Sequence, residues 1–337
     1  MNPRRHGFRS VMGSDIEQFL AHKRALGRRY DVEEKTLALF DDYLVANHIA
    51  YLSEVGVDLI DRFLTSRPRP RPRSYNHLRC TLVRLFSWMV GQGRLEQTPV
   101  QSRPRRATYQ RQPFIFDTAD ARRLLDLVQT LPDKGGTVQR GKTYHALLAI
   151  LYGLGLRVSE VCRLRVQDVD FERRLLVIRE TKFYKSRLVP FGPKLEVLLK
   201  DYLQLKTQHW GNLPAETPLF SLRGGRAINP CTVSQTFHHL MPRLPIETRP
   251  GCSPPRLHDL RHSFATGTLI RWYRSGVDPQ AHLLALATFL GHVDVNSTAM
   301  YLTMTATLLE EANRRFEAFA APMLREGLHP CHPPLVS

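Results

Sequence analysis

The sequence predicts a mainly helical α+β fold of two domains, with a small sheet that consists of one β-hairpin. The chain has 337 residues, which is more than one hydrophobic core usually supports. Apolar residues recur at three- and four-residue spacing through the first hundred residues, which is the period of amphipathic helices. Two short β-rich runs, Leu175–Arg179 and Arg187–Phe191, are separated by a polar break and predict the hairpin.

The first domain is predicted over residues 13–100, after a basic tail at residues 1–12. Its candidate helices are Asp15–Ala25, Val32–Asn47, Val57–Leu64 and Tyr75–Gly91. The segment 67–73, Arg-Pro-Arg-Pro-Arg-Pro-Arg, interrupts them, because alternating proline forces an extended, polyproline-like path. This segment is either a solvated connector or an arm that lies along phosphates.

The second domain is predicted over residues 117–320 and opens with a helix near Asp117. Residues 101–116 are interpreted as an interdomain linker, since they hold prolines and arginines without any periodicity. A charged amphipathic helix is expected at Thr307–Phe319, and residues 321–337 are predicted to be a disordered tail.

Net charge is the property that departs furthest from an average protein. The chain carries 48 Lys and Arg against 31 Asp and Glu, which gives a formal charge of +17. A polyanionic partner such as nucleic acid explains this excess, because neutralised phosphates release their condensed counterions. The candidate DNA-binding residues are Arg69, Arg71, Arg73, Arg103, Arg105 and Arg106.

Cysteine usage and hydropathy exclude several classes of protein. The five cysteines are odd in number and have no CxxC spacing, so they indicate neither a zinc site nor a disulfide framework. No apolar stretch is long enough for a membrane span, and none follows the basic N-terminus as in a signal peptide. We therefore expect a cytoplasmic, nucleoid-associated protein that needs no metal ion or cofactor.

Four separated motifs hold side chains suited to phosphodiester chemistry. In chain order they contribute Arg157 with Glu160, Lys182, His258 with Arg261 and His262, His292, and finally Tyr301. Taken singly, each residue would be interpreted as a surface charge, a helix cap or ordinary packing. Taken together, they are the groups that cleave a phosphodiester without a metal ion.

The chemistry requires these residue types. Two arginines can each offer a planar fork of donors to the nonbridging oxygens, on which charge develops during in-line attack. A tyrosine hydroxyl must lose its proton when it attacks, and a nearby histidine can take that proton. A lysine on the hairpin can protonate the departing 5′-oxygen. The sequence has no acidic cluster of the kind that holds Mg²⁺.

In these motifs the sequence resembles the tyrosine recombinase, or phage integrase, family over nearly its whole length. The matching residues are Gly155-Leu156-Arg157-x-Ser159-Glu160, Lys182 with Lys185-x-Arg187-x-Val189-Pro190, His258-x-Leu260-Arg261-His262, Leu290-Gly291-His292, and Tyr301 nine residues later. The resemblance implies a helical core-binding domain and a tyrosine-recombinase catalytic domain that close as a clamp on DNA.

The resemblance also implies a mechanism in which Tyr301 attacks the scissile phosphate. The products are a 3′-phosphotyrosyl link and a free 5′-hydroxyl, so that resealing needs no ATP. The other implied roles are general base for His258, general acid for Lys182, phosphate binding for Arg157, Arg261 and His292, and support for Glu160 and His262. The implied partner is double-stranded DNA, bound by a homotetramer or by a mixed assembly with other recombinase subunits.

Several alternatives stay open at the level of sequence. A type IB topoisomerase uses similar chemistry as a monomer, although its motif spacing differs. A catalytically decayed DNA-binding protein is the other alternative, but all six catalytic positions are filled.

The segment Val277–Leu290 is about four residues, or one helical turn, longer than the common family spacing, which predicts a longer helix or loop. With Tyr301-Leu302 and Leu308-Leu309, it suggests a transposon-borne subgroup. The helix at Thr307–Phe319 either passes to a neighbouring protomer, as in many family members, or packs on its own domain.

Overall fold

The computed structural model describes residues 7–106, 112–179, 186–248, 252–303 and 306–326. Contacts between Cα atoms divide the chain into two compact units, Met1–Gln110 and Arg111–Ser337. Among the described residues, the first unit contains one cluster of buried apolar side chains and the second contains two, of which the smaller includes Tyr301.

The described part of the first unit is helical. Its helices are α1 (Gly13–Ala25), α2 (Asp31–Ala46), α3 (Val57–Ser66) and α4 (Pro72–Gly91), with a 3-10 turn at Leu52–Glu54. Aromatic rings fill the core between these helices. The ring centroid of Phe40 lies 5.0 Å from that of Phe63 and 6.1 Å from that of Phe86, and all three side chains are buried. The four predicted helices are therefore confirmed, with small shifts at their ends.

The start of α4 differs from the prediction. The extended path predicted over residues 67–73 stops at Arg71, and Pro72 and Arg73 form the first turn of the helix. Proline is favoured at the first helical position, because its missing N–H would have no partner there. Arg71 itself is extended, with φ −84° and ψ 121°, as the residue before a proline prefers.

The second unit is α+β in its described part. Its helices are α5 (Thr118–Gln129), α6 (Arg140–Leu154), α7 (Val158–Val161), α8 (Pro193–Trp210), α9 (Pro230–Leu240), α10 (Asp259–Arg274), α11 (Leu283–Leu290), α12 (Asn296–Ala299) and α13 (Ala306–Glu326). The 3-10 turns are Val166–Asp168, Met241–Arg243 and Met300–Thr303. Helix α6 is buried along most of its length, and α10 packs against both α6 and α13.

Two antiparallel sheets accompany these helices. The strands are β1 (Val169–Asp170), β2 (Leu175–Ile178) and β3 (Arg187–Pro190) in the order β1-β2-β3, and separately β4 (Ser221–Arg223) with β5 (Arg226–Ala227). The predicted hairpin is confirmed, with Leu176 opposite Val189 and Ile178 opposite Arg187. The β4-β5 pair is not predicted, since strands of two and three residues are too short to show an alternating pattern.

Two boundaries in the second unit also differ from the predictions. Phe114 and Phe116, at the end of the predicted linker, are buried in the core, and the Phe116 N–H donates to Ser263 Oγ at 2.8 Å. The segment Val277–Leu290, for which a longer helix or loop is predicted, consists of a loop that follows α10 and of α11. Helix α13 continues to Glu326, so that residues 321–326 of the predicted disordered tail are helical.

Candidate active site

The third motif lies at the start of α10. The buried carboxylate of Asp259 fixes this first turn, since it accepts the backbone N–H and the guanidinium of Arg256, each at 2.9 Å. Residues three or four apart share a helix face, which brings His258, Arg261 and His262 to one side. The rings of His258 and His262 meet edge to face with their centroids 4.9 Å apart.

Glu160 joins two arginines through one buried carboxylate. It accepts the backbone N–H of Arg157 at 3.0 Å and the Arg157 guanidinium at 2.8 Å. Its two oxygens also accept from Arg187, at 3.1 and 2.9 Å. Burial opposes ionisation, but the hydrogen bonds and charges of Arg187 and Arg157 lower the pKa of Glu160 to about 2. The carboxylate is therefore ionised at neutral pH and holds both guanidinium groups.

The C-terminal end of α11 orients the arginines of the site. Three consecutive carbonyls, which lack partners within the helix, each accept from a different arginine. Phe289 accepts from Arg187 at 2.9 Å, Leu290 from Arg261 at 2.8 Å and Gly291 from Arg157 at 2.9 Å. The negative end of the helix dipole favours cations at this position. Helix α11 therefore fixes the spacing of all three guanidinium groups.

Arg261 is the most enclosed member of this group. Its side chain is buried, and it donates a further hydrogen bond to the Gly155 carbonyl at 2.7 Å. Gly155 has φ +60°, and a Cβ there would lie 2.5 Å from the Phe264 ring. Glycine is therefore needed for the first motif to approach α10. Burial, and next the charge of Arg157, lower the pKa of Arg261 to about 10, so that it stays protonated at neutral pH.

Position 291 requires glycine for two reasons, which are its left-handed backbone conformation and the close approach of Arg187. It ends α11 with φ +71°, and its N–H and that of His292 donate to Thr288 and Ala287, as in many glycine-terminated helices. A Cβ at this position would lie 2.7 Å from the guanidinium of Arg187.

We predict that Gly291→Ala weakens both the fold and the reaction. The left-handed backbone alone destabilises an alanine at this position by about 1–2 kcal/mol. The added methyl group would also displace the Arg187 guanidinium and weaken its hydrogen bonds to Glu160. Thermal unfolding and cleavage of a nicked substrate measure the two effects. Gly276→Ala is a matched control, because Gly276 has φ +75° but open space around its Cα. Equal cleavage by the two variants would contradict the role given to Arg187.

Tyr301 lies beside His262 and His292 of the same chain. Its side chain is buried, and its hydroxyl oxygen is 3.1 Å from Nδ1 of His262. Its ring stacks on that of His292, with centroids 6.3 Å apart and an interplanar angle of 17°. Burial raises the pKa of Tyr301, opposed by the charge and hydrogen bond of Arg261 and the charge of Arg157. The tyrosine is therefore neutral in the free protein.

His292 is held in one orientation by a buried threonine. Its Nδ1 lies 2.6 Å from Oγ1 of Thr298, which leaves Nε2 for a ligand. Burial, followed by the charges of Arg261 and Arg157, lowers the pKa of His292 to about 4. The ring is neutral at pH 7 and can donate a single hydrogen bond from Nε2 when Nδ1 accepts from the threonine.

The structure brings together nearly every residue predicted for the site. Those in the cluster are Arg157, Glu160, His258, Arg261, His262, His292 and Tyr301. Lys182 lies outside the described residues. The DNA-binding candidates Arg69, Arg71, Arg73, Arg103, Arg105 and Arg106 belong to the first unit. No group of His, Cys, Asp and Glu that could hold a metal ion occurs in the described ranges.

Sequence reasoning assigned no role to Arg187 or Thr298. Arg187 had a detectable signal, because alternate residues of a strand share a face and Val189 is fully buried. An arginine two positions before a buried valine points inward and requires a carboxylate partner. Thr298 carried no such signal, since its contact with His292 depends on the loop between α11 and α12.

Comparison with known proteins identifies the family. Residues 116–307, more than half of the chain, match the model of the phage integrase family. The chain belongs to the phage integrase family. It is therefore a tyrosine recombinase, an enzyme that breaks and rejoins DNA strands.

Whole-length relatives agree with this family. The recombinase is 34% identical over 315 residues to the integrase/recombinase y4rB of Sinorhizobium fredii, covering 91% of this chain and 98% of that one. It is 29% identical over 304 residues to the tyrosine recombinase XerC of Oceanobacillus iheyensis, covering 88% and 92%.

Solved structures share the fold of the recombinase. The Tn1549 transposon integrase in complex with transposon right end DNA aligns with a TM-score of 0.64 at 17% identity, covering 91% of this chain and 98% of that one. XerH bound to a palindromic difH substrate aligns with a TM-score of 0.62 at 20% identity, covering 90% and 84%. No described helix of the recombinase combines the length and apolar character that a membrane span requires.

Proposed function

We propose that Tyr301 is the nucleophile of a site-specific recombinase that acts on duplex DNA. Its hydroxyl oxygen bonds to the scissile phosphorus, the bond from phosphorus to the 5′-oxygen breaks, and Lys182 protonates the departing 5′-oxygen. The observation that supports this proposal is that the buried Tyr301 hydroxyl lies 3.1 Å from Nδ1 of His262 and within the influence of the Arg261 charge. Because the partner is duplex DNA, the proposed place of action is the nucleoid.

The cluster suits the charge that develops on phosphorus. Arg157 and Arg261 are held by backbone carbonyls before any ligand arrives, so that little reorganisation is needed during the reaction. Arg157, Arg187 and Arg261 carry three positive charges, and Glu160 pairs with the first two, which leaves an excess of positive charge for a phosphate. His292 would donate from Nε2 to a nonbridging oxygen. This ordered arrangement of the catalytic side chains favours an active enzyme over a catalytically decayed DNA-binding protein.

The function is tested with DNA that flanks the gene. A substrate nicked beside the scissile phosphate should trap a protein–DNA adduct that survives denaturation, and intact sites should yield joined products. We expect one protomer per half-site and four per synapse, measured by mass photometry. Supercoil relaxation without a partner site, with no joined product, would instead favour a topoisomerase. The flanking DNA also tests the predicted transposon-borne setting.

The arginine arm is proposed to bind DNA phosphates from the first unit. Asn76 pairs with the backbone of Arg105 in both directions, at 2.8 and 2.7 Å. The Arg105 guanidinium lies 4.0 Å above the Tyr75 ring centroid and donates to the Arg69 carbonyl at 2.8 Å. Arg105 thus links the arm, residues 67–73, to residues 103–106, and the two segments form one basic strip. The exposed members of this strip are Arg71, Arg73, Arg103, Arg105 and Arg106.

We predict that charge reversal of Arg69, Arg71 and Arg73 weakens DNA binding and flattens its salt dependence. The slope of log K against log salt should fall by about 1 for each phosphate that is no longer neutralised. Fluorescence anisotropy over a salt series measures both quantities. Arg62→Glu, an exposed change on α3, is the control for the single variant Arg71→Glu. An unchanged slope in the triple variant would make the arm a mere connector.

A further inference from the structure

We propose that Arg256 is a further DNA-binding residue of the active site, whose guanidinium contacts a backbone phosphate other than the scissile one. The proposal rests on the proposed function and deepens it, because it adds a second phosphate to the DNA that the catalytic unit contacts. The family resemblance gives Arg256 no role, since the matching residues of the third motif begin at His258.

The turn at Arg256 repeats the turn that presents Arg157. In each turn the arginine carbonyl accepts the backbone N–H of an acidic residue three positions later, at 2.9 Å in both cases. The carboxylate of that residue accepts the backbone N–H of the arginine, at 3.0 Å in Glu160 and 2.9 Å in Asp259. It also accepts the guanidinium, at 2.8 Å in Glu160 and 2.9 Å in Asp259. The chain therefore holds Arg256 in the same way as it holds an arginine of the catalytic cluster.

The guanidinium of Arg256 is fixed on one edge and available on the other. Asp259, which is fully buried, accepts from Nη2 at 2.9 Å and from Nε at 3.4 Å. Within the described residues, Nη1 and the second N–H of Nη2 are left for a ligand. The Arg256 side chain is 45% exposed, compared with 30% for that of Arg157. A phosphate suits this edge, because two parallel N–H donors match its oxygens.

Arg256 lies close to both histidines of the third motif. Burial, followed by the charges of His258 and Arg256, lowers the pKa of His262 to about 3. Burial and then the charge of Arg261 lower the pKa of His258, and the charge of Arg256 adds to this effect. The scissile phosphate already has Arg157 and Arg261 as donors. A guanidinium beside the same cluster is therefore suited to the adjoining stretch of the DNA backbone.

The ion pair of Arg256 with Asp259 also removes a charge that would oppose DNA binding. A lone carboxylate at the start of α10 would repel a phosphate. Arg256 neutralises that carboxylate, and α10 has the positive end of its dipole at the same point. Contacts to phosphates fix the orientation of DNA and carry no direct sequence information. We therefore expect Arg256 to position the cleaved strand and to contribute equally at every target sequence.

Binding to DNA that carries one methylphosphonate tests the contact directly. The methylphosphonate replaces a charged oxygen of one phosphate by a methyl group, and it is moved in turn through the phosphates that flank the scissile one. All measurements use the Tyr301→Phe background, in which no cleavage is expected, and anisotropy gives the affinity. We expect one flanking position at which the methylphosphonate weakens binding by about tenfold when Arg256 is present and not in Arg256→Gln. The salt slope of Arg256→Gln on unmodified DNA should also be lower by about 1.

Arg165→Gln is the matched control, because Arg165 lies in the same kind of turn. Its backbone N–H donates to Asp168 at 2.9 Å, but its guanidinium pairs with Glu216. We expect this variant to keep the full methylphosphonate effect at the position where Arg256→Gln loses it. Arg256→Lys, which keeps the charge but lacks the planar fork, should keep only part of the effect.

An unaltered pattern of methylphosphonate effects in Arg256→Gln would overturn the proposal and leave Arg256 as a cap of α10 only. A loss of the effect at the scissile phosphate alone would overturn it as well. We expect Arg256→Gln to retain the fold, because its backbone N–H still donates to Asp259, and thermal unfolding checks this. If that variant unfolds, Arg256→Lys decides, and the full effect in Arg256→Lys would then overturn the proposal. Failure of the proposed function itself would appear differently, as an adduct that persists in Tyr301→Phe.

Discussion

Tyr301→Phe is expected to abolish the covalent protein–DNA adduct while DNA affinity stays within about twofold of the wild type, because the ring and its packing are retained. The change removes one oxygen, which is the atom that would bond to phosphorus. The ring still packs between His262 and His292, so the fold of the site should persist. Adduct formation is measured on a nicked substrate by denaturing gel, and affinity by anisotropy.

Tyr273→Phe is the matched control for this experiment. Tyr273 packs against the same apolar cluster as Tyr301, so the two variants share chemistry and surroundings. We expect Tyr273→Phe to form the adduct at the wild-type rate. Both reactions are run in EDTA, since the arginines and histidines should replace a metal ion at the phosphate. An adduct formed by Tyr301→Phe would refute the assignment of the nucleophile.

The structure also predicts that Tyr301 acts within its own protomer. Its hydroxyl already lies against His262 of the same chain. A mixture of Tyr301→Phe with Arg261→Ala should therefore form no adduct, because neither protomer has a complete site. If the tyrosine were donated by a neighbour, such a mixture would regain activity.

Glu160→Gln is expected to have the second largest effect, on both stability and cleavage. Breaking a buried ion pair by removing one partner costs about 3 kcal/mol or more, because the remaining charges stay buried. Here two guanidinium groups lose their counterion at once, and the Arg187 side chain is only 10% exposed. We expect the second unit to melt at lower temperature and cleavage to fall by at least tenfold.

The stability effect should also depend on pH. The pKa of Glu160 is about 2 in the folded chain, against its ordinary value of 4.5. Because the folded value is depressed, the ionised carboxylate stabilises the fold above pH 4.5, and this stabilisation is lost as pH falls toward 2. The difference in unfolding free energy between wild type and variant should therefore be constant above about pH 5 and shrink below it.

Glu216→Gln provides the comparison for a surface ion pair. Glu216 pairs with Arg165, and both side chains are about half exposed or more, at 64% and 48%. Exposed pairs contribute about 0–1 kcal/mol. Calorimetry of the full chain at pH 7 should show a small change for this variant and a large one for Glu160→Gln. Similar losses of stability in the two variants would mean that Glu160 is not the anchor of the arginine group.

Much of the fold could be predicted because its signals are local. The periodicity of Leu78, Leu82 and Leu85 predicts α4, and the two β-rich runs around Leu176 and Val189, with a polar break between them, predict the hairpin. Element ends were less predictable, as the start of α4 at Pro72 and the end of α13 at Glu326 show. A helix end depends on which partners its terminal groups find, and many of those partners are distant in sequence.

The sequence by itself predicted the chemistry of this protein. The order and spacing of Arg157, Arg261 and Tyr301 resemble the motifs of the tyrosine recombinase family, and the net charge of +17 indicates a polyanionic partner. Only the tertiary structure decided how these groups meet. His258 and His262 lie one turn apart on the same helix face, so spacing cannot say which one meets the tyrosine. The packing of the Met300–Thr303 turn against α10 decides it, because it brings the Tyr301 hydroxyl to His262.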